Sequence, residues 1–190
     1  KAQKYIPGIS GLLGKRPDMY LKDGNWPTYY SKAKGANIWD LDNKKYYDFS
    51  MFSAGTSVLG YADSEVNKAS INAIKSGSIS TLNPPEDAEL AELLIKDHKW
   101  AGGVRFARCG GESMSIAIRL ARAFTNKEKI LFCGYHGWHD WYISKTSRNY
   151  GIPKNIAKLT HNFIYNDIDS LRNCFTKFNN NVAAVIMEPM

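Results

Sequence analysis

Val104-Arg105-Phe106-Ala107-Arg108-Cys109-Gly110-Gly111-Glu112-Ser113 decides the fold, together with the Ile130-Leu131-Phe132-Cys133 and Tyr135-His136-Gly137-Trp138-His139-Asp140 that follow it. The order reads as strand, glycine turn, helix, strand, then an aromatic-histidine-glycine loop. Between the two apolar runs, Met114, Ala117, Ile118, Ala121 and Phe124 recur at spacings of three and four, the period of a helix with one apolar face. Arg119 and Arg122 take the other side.

Working outward, Val182-Ala183-Ala184-Val185-Ile186-Met187 is a continuous apolar run, as expected of a strand buried on both faces. A helix precedes it, starting near Asp167 or Asp169, with Leu171, Cys174, Phe175 and Phe178 on one stripe and Asn179-Asn180-Asn181 as its breaker. Asn83-Pro84-Pro85-Glu86 opens another helix, because proline suits a first turn and Glu86 and Asp87 suit its positive end. Leu90, Leu93 and Leu94 mark its buried side. Asp63 is placed to cap a helix carrying Val66, Ala69, Ala73 and Ile74, which Gly77 would stop. Asn37 to Asp48 reads as a hairpin turning at Asp42-Asn43, and residues 1–36 as irregular. Strands alternating with helices from about residue 100 onward predict an α/β fold, a mostly parallel sheet flanked by helices.

The bulk composition excludes several classes. No apolar run approaches the ~18 residues that span a bilayer, and Lys1 to Ser10 lacks a signal peptide's apolar core. The formal charge of +7 is spread along the chain without a basic block, so an anionic small molecule or plain solubility accounts for it better than nucleic acid. Cys109, Cys133 and Cys174 are odd in number and widely spaced, which argues against a disulfide framework and for a reducing, cytoplasmic setting.

Three strand ends carry the candidate chemistry. Gly110 and Gly111 let the backbone approach a ligand closely and adopt positive φ, and the helix behind them offers free N–H groups to a phosphate, with the Ser113 hydroxyl as a further donor. A tight connection without a ligand is the competing reading. Tyr135 lies after the next strand, and carboxyl ends of successive parallel strands share one edge. There it either stacks on a flat heterocycle or packs as a core or interface tyrosine. Glu188 ends the third strand, as a ligand-side carboxylate or a solvated strand end. His136 and His139 are read as orienting their loop by hydrogen bonds rather than as metal ligands.

Together these pieces resemble the class III pyridoxal-phosphate-dependent aminotransferases, in the branch of glutamate-1-semialdehyde 2,1-aminomutase. The match is carried by residues 34–43, Tyr47-Asp48-Phe49, Leu59-Gly60-Tyr61, Val104-Arg105-Phe106, Gly110-Gly111-Glu112-Ser113, residues 118–122, Tyr135-His136-Gly137 and residues 185–189, in the family's order. The resemblance implies a fold type I transferase, with residues 1–50 contributing to a small α+β domain and 51–190 forming the first half of the large one. It implies pyridoxal 5'-phosphate as cofactor, amino transfer by way of a Schiff base, a small amine or amino-acid substrate and a homodimer. Carried over by position, Gly110 and Gly111 match the phosphate turn, Tyr135 the ring-stacking aromatic, His136 its loop and Glu188 the acidic strand end. Ser53 and Ala54 match, more loosely, a substrate-lining loop. The family often has Ser-Gly-Thr in the turn, whereas here it is Cys109-Gly110-Gly111, without the threonine hydroxyl.

No lysine here lies in a matching context, so the chain is expected to be the N-terminal half of a longer enzyme whose Schiff-base lysine lies beyond Met190. Alone it is expected to be inactive and to fold poorly, because the edge strand at 182–187 would lack neighbours and invite aggregation. The alternative readings are a non-catalytic phosphate-ligand α/β module and a basic nucleic-acid-binding domain.

Overall fold

A computed structural model describes residues 1–22, 26–49 and 55–189. Contacts divide the chain into two compact units, Lys1–Asn83 and Pro84–Met190.

In the first unit a helical turn, α1 (Ala2–Tyr5), and two 3-10 turns precede an antiparallel sheet of order β1-β2-β3: β1 (Tyr30–Lys34), β2 (Asn37–Asp40) and β3 (Lys45–Tyr47). The hairpin between β2 and β3 is the expected one. Asp40 accepts hydrogen bonds from the Asp42 and Lys44 N–H groups, and Asn43 takes the left-handed conformation of the turn. β1 falls in the stretch expected to be irregular. Its Tyr-Ser-Lys-Ala-Lys sequence is mostly exposed, so no burial alternation announces it. Helix α2 (Ser64–Ser76) begins and ends on the expected residues: Asp63 accepts from the Glu65 and Val66 N–H groups, and Gly77 closes it at φ +97°. Its side chains, Val66 and Ile74 included, are exposed.

The second unit is built on a parallel sheet of order β5-β4-β6: β4 (Lys129–Cys133), β5 (Thr160–Asn162) and β6 (Val182–Met187). Successive strand side chains point to opposite faces, so β4 feeds two cores. Ile130 and Phe132 join Ile118, Trp141 and Tyr142 on one face. Leu131 and Cys133 join Phe163 and Val182 on the other, with Leu171, Cys174 and Phe178 packed against them. Helix α4 (Gly110–Thr125) supplies Ile118 to the first core and α7 (Ile168–Phe178) covers the second. α3 (Pro85–Asp97) precedes them, and α5 (Asp140–Ile143) and α6 (Lys154–Ala157) are short turns between β4 and β5. Ile130 and Leu131 are 0% exposed.

Several expectations are corrected. Val104–Ala107 is in no β ladder among the described residues; an extended run becomes a strand only where a neighbour pairs with it. β6 pairs with β4 on one side and has no strand on the other among the described residues, the edge position expected of it. Burial on both faces is what fails: Val185 and Met187 are 39% and 51% exposed. Leu90 and Leu93 of α3 are exposed, and Phe124, on the apolar stripe of α4, is 93% exposed. Periodicity identifies the apolar side of a helix and is silent on what covers it. The strand β5, three residues of largely polar sequence, has no apolar pattern to reveal it. Ser53 and Ala54 lie outside the described residues.

Candidate cofactor site

Helix α4 starts at Gly110 itself, so the two glycines form its first turn rather than a loop ahead of it. Neither has a positive φ. Gly111 is needed for space: a Cβ there would lie 2.9 Å from His139 Nε2. Around Gly110 a Cβ would meet nothing within 4 Å, so that side of the turn is open. The helix leaves its first N–H groups, those of Gly110, Gly111 and Glu112, without intrahelical acceptors, and the Cys109 side chain makes no capping bond. Glu112 folds back to accept from the Arg108 N–H at 2.9 Å. The Ser113 hydroxyl donates to the Gly110 carbonyl at 2.9 Å. The extra donor foreseen at Ser113 is thus turned onto the backbone.

The loop after β4 closes on this turn. Gly137, at φ +94°, lies where a Cβ would be 3.4 Å from Gly111 Cα. His136 is buried, and its Nε2 meets the Cys133 carbonyl at 2.8 Å. Its ring lies edge-on to Phe132 and Tyr142. His139 Nδ1 lies 2.7 Å from Ser115 Oγ on α4. Both histidines therefore hold the loop by hydrogen bonds. Just ahead of them Tyr135 stands 66% exposed, its ring edge-on to the buried Tyr142 at 5.8 Å. Burial, and Tyr135 beside it, push the Tyr142 hydroxyl above the usual tyrosine range.

β6 brings Glu188 to the same edge. Its Oε2 accepts the Tyr135 N–H at 3.0 Å across 53 residues of sequence, and its own N–H donates to the Cys133 carbonyl. The carboxylate lies against Gly134, where a Cβ would come within 2.6 Å of Oε2, and Gly134 is at φ +87°. Burial, with the Glu188 charge as a second cause, raises the Cys133 thiol. Gly134 escaped sequence reasoning; a glycine between a strand end and an exposed aromatic was its one signal. The Ser115–His139 bond joins residues 24 apart, and no local pattern marks it.

Chemically, the turn offers backbone donors at the positive end of a helix dipole, which attract an anion. The neighbouring exposed tyrosine offers a face to a flat ring. A crowded Gly111, an open Gly110 and an exposed Tyr135 on one edge fit a phosphate that carries a planar heterocycle.

Residues 20–190 match the model of the class III aminotransferases. Over its whole length the chain is 37% identical to 43% of the glutamate-1-semialdehyde 2,1-aminomutase of Campylobacter hominis. It is 31% identical to 45% of the 3-aminobutyryl-CoA aminotransferase of Cloacimonas acidaminovorans. The chain thus spans about half the length of the curated relatives it matches. Among solved structures it resembles the FumI protein of Sphingopyxis sp. MTA144 in its PLP internal aldimine form, with a TM-score of 0.87 and 30% identity over 97% of this chain and 43% of that one. It also resembles a transaminase with PLP bound, with a TM-score of 0.86 and 26% identity over 99% of this chain and 45% of that one. Its α/β fold is that of the fold type I transferases, which use pyridoxal 5'-phosphate. A glycine-opened helix, an aromatic loop and an acidic strand end on one sheet edge, in a sequence that matches the family model over residues 20–190, make this chain a member of the class III aminotransferases.

Proposed function

We propose that the protein transfers an amino group between small amines or amino acids, or within one such molecule, with pyridoxal 5'-phosphate held at the edge where α4, the loop after β4 and the end of β6 meet. When bound, this cofactor supplies an electron-poor ring that draws electrons from the carbon bearing the amine. Gly110 and Gly111 bind the phosphate through their N–H groups at the start of α4. Tyr135 orients the ring by stacking on it. His136 braces that loop from the buried side, and Glu188 fixes the Tyr135 backbone and sets a negative charge beside the ring. Ser53 and Ala54 line the substrate pocket. Residues 1–50 serve a small domain and 51–190 the large one. No lysine of this chain is assigned to the cofactor's aldehyde. The three free cysteines support a cytoplasmic setting, and the exposed Leu120 and Phe124 of α4 support a homodimer in which a second copy covers them.

The observation that carries this reading is the Glu188–Tyr135 hydrogen bond beside the Gly111–Gly137 contact, which ties three distant sequence blocks into one cradle. The test is circular dichroism of the protein with pyridoxal 5'-phosphate. An induced signal in the cofactor's own absorption band, lost in Tyr135→Ala, is expected. No induced signal, or one that Tyr135→Ala leaves intact, would overturn the reading.

A further inference from the structure

The first turn of α4 lacks a side-chain donor of its own for an anion. Gly111 has no side chain. The Ser113 hydroxyl is spent on the Gly110 carbonyl, and Glu112 is itself an acceptor engaged with the Arg108 N–H. The space that a side chain at 111 would enter holds the His139 imidazole instead, with Nε2 2.9 Å and Cδ2 3.0 Å from that Cβ position. We propose that His139 is the phosphate-binding side chain of this cradle, donating through Nε2–H from the place where residue 111 would otherwise carry a hydroxyl. This rests on the reading of the edge as a pyridoxal-phosphate site.

Three observations support it. The first concerns the proton. A neutral imidazole has one donor nitrogen and one acceptor, and the partner of one sets the role of the other. Nδ1 lies 2.7 Å from Ser115 Oγ. That distance fits the Ser115 hydroxyl donating to Nδ1, the assignment made in this proposal, which puts the ring proton on Nε2. The second concerns availability: among the described residues no hydrogen bond engages Nε2, whereas the Nε2 of the neighbouring His136 is taken by the Cys133 carbonyl. The third concerns position. Trp138 stands edge-on to the His139 ring at 4.9 Å, and Gly137 packs on Gly111, so the loop that carries the ring is seated on the helix start. A side chain at 111 and an imidazole at 139 are mutually exclusive here. The same crowding that requires Gly111 thus supplies the donor that Gly111 lacks.

Two substitutions separate donation from bracing. The amide oxygen of His139→Asn falls near Nδ1 and keeps an acceptor for the Ser115 hydroxyl; the amide nitrogen of His139→Gln reaches the place of Nε2 and keeps the donor. The probes are pyridoxamine 5'-phosphate and pyridoxamine, which lack the aldehyde and do not react with surface lysines. Their dissociation constants are measured by tryptophan fluorescence, with far-UV circular dichroism confirming the fold of each variant. His139→Asn is expected to weaken pyridoxamine 5'-phosphate about tenfold, the scale of one hydrogen bond to a charged group, and to leave pyridoxamine unchanged. His139→Gln is expected to stay close to the unsubstituted protein. Asn binding the phosphorylated probe as well as His, or both variants weakening both probes alike, overturns the assignment of His139 and leaves the cofactor site standing. An unsubstituted protein that binds the two probes equally overturns the cofactor reading itself.

Discussion

The two units of this chain are held together by different physics. In residues 84–190 a single strand, β4, sends alternate side chains into two apolar cores, and all the buried hydrophobic side chains among the described residues lie in this unit. In residues 1–83 the one buried residue among those described is Pro17. Its sheet is stitched by polar and cation–π contacts. Asp40 gathers two turn N–H groups and the Tyr46 hydroxyl, and Lys32 and Lys45 lie 4.4 and 5.8 Å from the Trp39 ring. Such contacts contribute about 0.5–1.5 kcal/mol each, against about 1.5–3 for burying one large apolar side chain. A site that must hold the start of α4 and the ends of β4 and β6 in register belongs on the unit with the core.

Paired truncations are the strongest way to break this comparison. Phe132→Ala removes a ring shared by Ile130, Trp141 and Tyr142 and is expected to cost about 3–5 kcal/mol. Ile38→Ala, at a half-buried position of β2, is expected to cost about 1 kcal/mol. Urea unfolding of the two variants measures both, and equal losses would erase the distinction between the units.

Glycines at positive φ sharpen it. Gly134→Ala and Gly77→Ala both force alanine into a strained backbone, at about 1 kcal/mol. Gly77 has open space around its Cβ position, whereas Gly134 meets the Glu188 carboxylate. Gly134→Ala should therefore cost about 2 kcal/mol or more and release the Tyr135 N–H, which amide exchange at Tyr135 would show. Equal costs would mean that Glu188 yields freely, and the carboxylate would then not fix the loop.

The parts legible in the sequence were those whose signal is local. Asp63 and Gly77 bound α2 because capping is the chemistry of a few adjacent residues. The apolar run at 130–133 marked β4, and the logic of parallel sheets put Tyr135 and Glu188 on one edge before any coordinates did. What stayed hidden depends on partners far along the chain. Val104–Ala107 looks like a strand yet has no neighbour to pair with among the described residues, and Thr160-His161-Asn162 has one without looking the part. The crowding of Gly111 comes from a histidine 28 positions away (139 − 111), beyond any motif.

High pH gives a smaller contrast. In the first unit the Tyr61 hydroxyl donates to Asp48, and burial first, then that bond, push its pKa up to about 12. An unfolded tyrosine titrates near ~10. Between these values the folded state holds a proton that the unfolded state has lost, so the contribution is full below pH ~10 and disappears as pH rises through about 12. Solvent screening keeps it on the order of 1 kcal/mol. Thermal melts across that window should fall less steeply for Tyr61→Phe, and an unchanged slope would assign the alkaline loss to other groups.

Helix caps should give the smallest difference between the units. Asp63 accepts from two N–H groups at 3.0 Å at the start of α2, and Asp167 accepts from the Ser170 N–H at 2.9 Å at the start of α7. Each satisfies donors that its helix leaves open, and each replacement by alanine is expected to cost about 1 kcal/mol. The cost is local, so the core beneath α7 should not enlarge it. Its consequence differs because the reserves differ. The same loss takes a larger share of stability from a unit with one buried residue among those described than from one with two cores. Amide exchange along α2 in Asp63→Ala should therefore quicken more than exchange along α7 in Asp167→Ala. The reverse order would mean that α2 draws its stability from contacts other than its own cap, and that the first unit is better supported than its buried surface implies.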